Sequence, residues 1–377
     1  MAFLLTALKD QYVAMRGFHT KRHLVVIESD DWGSIRMPSK QTFEQLQAAG
    51  DHPERDGFLR NDCLESEEDI AKLLEVLSSV KDSKGNHAVM TANFATANPV
   101  FEQIDYQNDT YVYEPFYETY RRYYPNSSHL TTIANAIQQG VFMPQLHCRE
   151  HMNVNRWMRD LKQGKADTLL AFQHHMIGVG ASFSPENIFG YMDAFHTDCT
   201  DAEELAGIVR DAAGIFKQAF GFDSASFVAS CFVWHPSLEK CLKEIGVKGI
   251  QSGPWQNLPS GKMGEYPMRR KIHFTGERNK QGQVYTVRNC AYEPAYYQNP
   301  EESARACLAA IKKAFAQKKP AIINSHRFNY IGSIDPLNAQ NNLAGLQWLL
   351  SQIVDAFPDV EFVSTPDLID ICNQERS

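Results

Sequence analysis

Short apolar runs alternate with amphipathic stretches along most of this chain. Residues 24–27 (Leu-Val-Val-Ile) open the pattern, and their β-branched side chains suit a buried, pleated strand. The run ends on Glu28-Ser29-Asp30-Asp31-Trp32-Gly33, where Gly33 marks a loop and places Asp30 and Asp31 at the strand's C-terminal tip. Residues 41–49 then read as a helix, with Phe43 and Leu46 on one face and Gly50 as its stop. Ser66-Glu67-Glu68-Asp69 opens a second helix, along which Ile70, Leu73, Leu74, Leu77 and Val80 recur at the helical period. Residues 87–94 form the next predicted strand. A helix over 131–139 leads to the apolar run 141–146, which stops directly at His147.

The second half repeats the alternation. Thr200-Asp201-Ala202-Glu203 fits a capping box, followed by Leu205, Ile208, Val209, Ala212, Ile215 and Phe216 on one helical face. Strands are predicted at 225–230, 284–288, 321–324 and 360–363. Helices are predicted at 238–245, from Asn299-Pro300-Glu301-Glu302 onward, and at 339–356. Residues 98–130, rich in Tyr, Pro and Asn, break the pattern. They read as an excursion over the active face with aromatic rings for a ligand, or as a decorated surface loop.

Alternating strands and helices indicate an α/β domain. Asp30, Asp31, Asn93, His147, Ser230, Asn289 and His326 each lie at or just after a predicted strand's C-terminal end. A parallel α/β barrel gathers such positions on one face, and an open doubly wound sheet gathers them on one edge. More than six parallel strands favour the barrel, as a single domain over residues 1–377.

With 377 residues, 43% hydrophobic and 22% charged, the chain has the composition of a globular protein. A net charge of -8 argues against a nucleic-acid partner. No run reaches the length of a membrane span. Residues 1–10 have too short an apolar stretch, and no basic start, for a secretory signal, so a cytoplasmic location is expected.

The chemistry gathers at the strand ends. Adjacent carboxylates repel and are costly to desolvate, and a cation relieves both costs. His147 and His151, four apart, share one face of a helix or helical turn. With Asp31 they make a His2Asp set with open positions, suited to zinc and also to cobalt or nickel. Such a metal acidifies water and polarises a carbonyl. Asp30 could then act as general base and His326 as general acid. The plainer readings are a helix-surface histidine pair, a solvated Asp-Asp turn and an interior His326. His147-Cys148-Arg149-Glu150-His151 also fits the His-x-x-Glu-His pattern of a metallopeptidase with Glu150 as base. That pattern needs a long helix, whereas a strand-like run ends at His147. Trp32 is placed to stack on a sugar ring or to anchor the core.

Asp30-Asp31, His147-x-x-x-His151 and Ser325-His326, in this order and at strand ends, resemble the polysaccharide deacetylase family. The resemblance runs from residue 24 to about 368, where 360–368 is similar to that family's closing strand and helix. It implies a distorted (β/α) barrel, usually of seven strands, that removes N- or O-linked acetyl groups from sugars with a divalent metal. It implies Asp30 as base, Asp31, His147 and His151 as metal ligands, and His326 as acid. The family's third motif begins with an arginine, and the matching stretch 229–236 has none, though its aromatic residue and following helix are present. Trp234 is then expected to keep the groove wall, Arg288 or Arg149 to take the arginine's place, and Arg288, Asn289 and Glu293-Pro294 to form a local variant of the wall. Trp32, Trp234, Arg288 and Asn289 are thus the candidate substrate contacts. The expected function is a zinc-dependent deacetylase acting on an acetylated sugar or small amide, with no nucleic-acid or membrane partner. The alternative is a catalytically silent carbohydrate-binding descendant.

Overall fold

Strand β1 covers Leu24–Trp32 and is buried along its whole length, its carboxylates included. It therefore runs past the apolar stretch that announced it. The structure, a computed structural model, describes residues 15–179, 188–296 and 299–375; the N-terminal stretch 1–10 lies outside them. The main sheet continues with β2 (Met90–Ala95), β3 (Phe142–Cys148), β4 (Ser226–Val228), β5 (Gly249–Ser252), β6 (Val284–Val287), β7 (Cys290–Ala291), β8 (Ala321–His326) and β9 (Glu361–Phe362). Their order is β6-β5-β4-β3-β2-β1-β8-β7, with β9 on the start of β1. Every pairing in this sheet is parallel.

The two ends of that order, β6 and β7, are successive pieces of one stretch of chain. Between them stand only Arg288, whose N–H donates to Ser252 O of β5, and Asn289, whose N–H donates to Ile322 O of β8. The sheet thus curls until its ends meet, and β6 and β7 share one of seven positions around a distorted barrel. β5 has no counterpart in the sequence pattern, because its four residues are Gly-Ile-Gln-Ser: Ile250 joins the outer core, while Gln251 bonds inside the barrel.

Helices cover the outside. Glu67–Ser78, capped reciprocally by Ser66 and Asp69, packs with Pro300–Ala316 and Pro336–Ala356 against the outward residues Val25, Ile27, Met90 and Ile323. The predicted cap at Thr200 belongs instead to Asp201, which accepts from the N–H groups of Glu203 and Glu204. Thr365, at the start of the last helix, donates to Glu28 Oε1 at 2.7 Å and so ties that helix to the barrel interior. The 98–130 segment makes a small hairpin (Ala97–Pro99 with Tyr113–Pro115) and a helix (Phe116–Tyr123). Phe116 and Tyr120 go into the main core rather than toward a ligand. Among the described residues no helix is long and apolar enough to cross a membrane.

Candidate active site

In a regular strand, neighbouring residues point to opposite faces. Asp30 and Asp31 escape that rule through a bulge. Ser29 lies opposite Ala92 and Trp32 opposite Phe94, so two residues of β1 face the single Asn93 of β2. Asp31 takes the left-handed conformation, φ 74°, which a non-glycine residue holds only under constraint. Gly33 follows at φ 78°, and a Cβ there would meet Ala95 O at 2.7 Å. The bulge leaves Asp30 inside the barrel and turns Asp31 to the histidines.

His147 lies within β3, and His151 lies in the bend beyond it. The four-residue spacing therefore works through a strand end and a bend, not through a helical face. Their Nε2 atoms stand 3.4 Å and 3.3 Å from Asp31 Oδ1. His147 Nδ1 donates to Val228 O at 2.8 Å, which fixes the ring's orientation and turns Nε2 toward Asp31. Burial pushes His151 down to about 3, with His147 and Arg36 acting the same way and Asp31 opposing, so its ring is neutral. Burial works against the Asp31 anion, but His151 and Arg36 hold it well below the usual carboxylate range. Asp31 Oδ1 and His147 Nε2 are buried without a hydrogen-bond partner. Buried polar atoms left unsatisfied are expensive, and a cation between these two satisfies both. Among the described residues this is the one group of three such side chains with donor atoms within 4.8 Å of one another, and it fits a metal ion.

Asp30 is gripped from across the barrel. Arg288 Nη1 and Nη2 donate to its two oxygens at 2.7 Å each, and Asn93 Nδ2 adds 2.7 Å to Oδ1. Burial alone would raise this carboxyl, but Arg288 overrides it and the value falls to about 2. Arg288 Nε also binds Glu28 Oε2 at 2.7 Å, so one guanidinium serves two buried carboxylates. Phe232 lies over that guanidinium, 5.5 Å from ring centre to Cζ. Arg288, a candidate substrate contact in the sequence, is therefore engaged by the buried carboxylates of Asp30 and Glu28.

His326 is paired with Asp30 in register, and its Nε2 is 4.0 Å from Asp30 Oδ2. Its Nδ1 is 2.6 Å from Glu293 Oε1, and Asn324 and Asn329 donate to the same carboxylate at 2.8 and 2.6 Å. Burial lowers the imidazolium, but Glu293, with Asp31 and Asp30, more than offsets this and pushes His326 up to about 9. Phe58, 5.2 Å away edge-on, and Phe328 flank the ring, and Tyr296 lies against both phenylalanines.

Three candidate substrate contacts lie elsewhere. Trp32 is buried in the main core, edge-on to Phe142, because the bulge turns it outward. Trp234 is fully buried, its Nε1 on Glu239, while Phe232 occupies the wall two residues earlier. Asn289 closes the barrel, donating to Pro320 O and accepting from Ile322 N–H. Glu150 is bound by Arg149 Nε at 2.9 Å, and the motif spans a strand end and a bend rather than the long helix the metallopeptidase reading needs. The residues that pattern reading left without a role are Glu28, Arg36, Gln251, Phe58 and Phe232. The signal for Glu28 was its place two residues before Asp30, on the same strand face.

No protein-family model and no curated protein matches the chain. Solved structures with a similar course of chain include the 4-alpha-glucanotransferase from Thermococcus litoralis (10% identity, TM-score 0.47), covering 93% of this chain and 40% of that one. They also include a probable polysaccharide deacetylase from Pseudomonas aeruginosa PAO1 (9% identity, TM-score 0.47; 94% of this chain and 92% of that one). Puue allantoinase is a third (10% identity, TM-score 0.47; 94% and 93%). The chain thus spans 40% of the length of the first.

Proposed function

We propose that this chain is a divergent metal-dependent deacetylase of the polysaccharide deacetylase type, releasing an N- or O-linked acetyl group from a sugar or small amide. One observation carries the reading: an arginine-held carboxylate and a glutamate-held imidazole stand 4.0 Å apart beside the unsatisfied Asp31, His147 and His151 group. A divalent cation on those three side chains, zinc first and cobalt or nickel by the same donor chemistry, would acidify a water and polarise the acyl carbonyl.

Asp30 is the base. With both oxygens bonded, its orientation is fixed, and at about 2 it stays ionised at any working pH. His326 is the acid. Near neutrality it is charged, Nδ1 is anchored on Glu293, and Nε2 is left to donate to the departing nitrogen or oxygen. Its side chain is 21% exposed, against 2%, 2% and 9% for Asp31, His147 and His151, so substrate enters on the His326 side. Phe58 and Tyr296, rather than Trp32 and Trp234, border that entrance and offer faces to a sugar ring.

The test is acetate release by the zinc-loaded full chain from a panel of acetylated sugars and small amides. Release that a chelator abolishes and added zinc restores supports the proposal. A chain that holds its metal yet frees no acetate from the panel favours the silent binding descendant.

A further inference from the structure

The two oxygens of Asp31 face different partners. Oδ1 faces the imidazoles of His147 and His151, whereas Oδ2 accepts from Arg36 Nη2 at 3.1 Å. Arg36 is held firmly. Its Nε stands 3.2 Å from Asp62 Oδ2, and its guanidinium lies 4.3 Å from the centre of the Phe58 ring. The backbone on either side is tied down: Ile35 N–H donates to Asn98 Oδ1 and Met37 N–H to Asp62 O, both at 2.9 Å. Asp62 is held independently by Arg327, so it does not need Arg36 to stay in place.

We infer that Arg36 is a positioning residue that limits Asp31 to one-oxygen coordination and offsets its charge, so that the site binds its metal less tightly than its ligands allow. This rests on the metal reading given above. The argument is geometric and electrostatic. A carboxylate oxygen that already accepts from a guanidinium is a poorer donor to a cation, and a fixed positive charge on the far side of the ligand repels the ion through it. Coordination positions are thereby kept open for water and a carbonyl oxygen, which a catalytic site needs and a structural site lacks. Both effects predict that removing Arg36 tightens binding. A residue that merely supports the local fold predicts the reverse.

The experiment is competitive chelator titration of the full chain with zinc, comparing wild type, Arg36→Met and Arg36→Lys, with the visible spectrum of the cobalt-loaded forms as a second readout. Arg36→Met should hold zinc roughly tenfold tighter or more, because it frees Oδ2 and removes a nearby cation. Its cobalt absorption should weaken as the coordination number rises. Arg36→Lys, which keeps the charge, should stay close to wild type in affinity. Equal or weaker zinc binding by a folded Arg36→Met chain overturns the inference and leaves the metal reading intact. A wild-type chain that takes up neither zinc nor cobalt overturns both.

Discussion

Arg288→Met is the most informative single change. The substitution keeps the unbranched apolar stem and deletes three charged hydrogen bonds of 2.7 Å, one to Glu28 and two to Asp30, where all three side chains are nearly inaccessible. Asp30 sits at about 2 against an ordinary 3.8, which corresponds to about 2 kcal/mol of stability. Because its folded value is depressed, that stability is present above 3.8 and lost as pH falls through about 2. Burial already raises Glu28 with Arg288 in place; without Arg288 it rises further, and burial then pushes Asp30 in the same direction. Two buried anions that have lost their shared guanidinium should cost about 3–5 kcal/mol at neutral pH. The sign of the pH dependence then reverses. In the variant, Glu28 and Asp30 are tolerated while protonated, so stability falls as pH rises through their raised values. Urea unfolding from pH 5 to 8 should show the gap between wild type and variant widening with pH. The acid limb of the rate, far below pH 4 in wild type, should move up with Asp30. A stability loss constant from pH 5 to 8 would show that Arg288 only fills space.

His147→Ala and Asp31→Ala should each lower bound metal well below one ion per chain by elemental analysis; unchanged metal in both would remove the ligand assignment. Asp30→Asn should keep the metal and lower turnover by about 10²–10⁴, the usual worth of a general base, and near-normal turnover would make Asp30 structural. Glu293→Gln removes the main support of the His326 imidazolium, so the alkaline fall in rate, expected near 9, should move to lower pH. His326→Gln should abolish that limb and harm amides more than phenyl acetates, whose leaving group needs no proton; equal losses on both would assign His326 an orienting role.

The strands that carry the chemistry were legible because each couples an apolar run to an abrupt polar ending, as at Ile27 to Glu28 and at Leu146 to His147. The family resemblance rested on those endings, and the structure brings Asp30, Asp31, His147, His151 and His326 to one place. What pattern reading could not see was the bulge. One extra residue between Ser29 and Trp32 turns both aspartates to the site and sends Trp32 into the core, reversing its expected role. Nor could spacing find Arg288's partner, which lies 258 residues away across the barrel. Trp234 misled for a related reason. The left-handed turn at Cys231 and Phe232 presents Phe232 to Arg288 and buries the larger ring two residues on. A further signal went unread: Glu28/Asp30, Thr91/Asn93, Gln145/His147, Thr286/Arg288 and Asn324/His326 are polar pairs spaced by two, which is how a polar barrel interior is written in sequence.

That interior imposes a charge balance, and the balance bears on the metal. Glu28 and Asp30 share Arg288; His326 joins Asp30 to Glu293; Arg36 joins Asp31 to Asp62; and Arg327 joins Asp62 to Glu65. Fully ionised, these are six carboxylates against three guanidiniums and one imidazolium, a surplus of two negative charges in a nearly dry network. A divalent cation on Asp31, His147 and His151 neutralises it. Stripped of metal, the chain must carry the surplus or take up protons, and burial already raises Glu28 and Asp62, the groups best placed to accept them. Groups raised in the folded state lend stability at low pH that is lost as pH rises through their folded values. The chelated chain should therefore lose melting temperature as pH rises, while the zinc-loaded chain changes less over the same range. Parallel melting curves with and without metal would show that the network sheds its surplus in some other way, and would weaken the case for a divalent ion at this site.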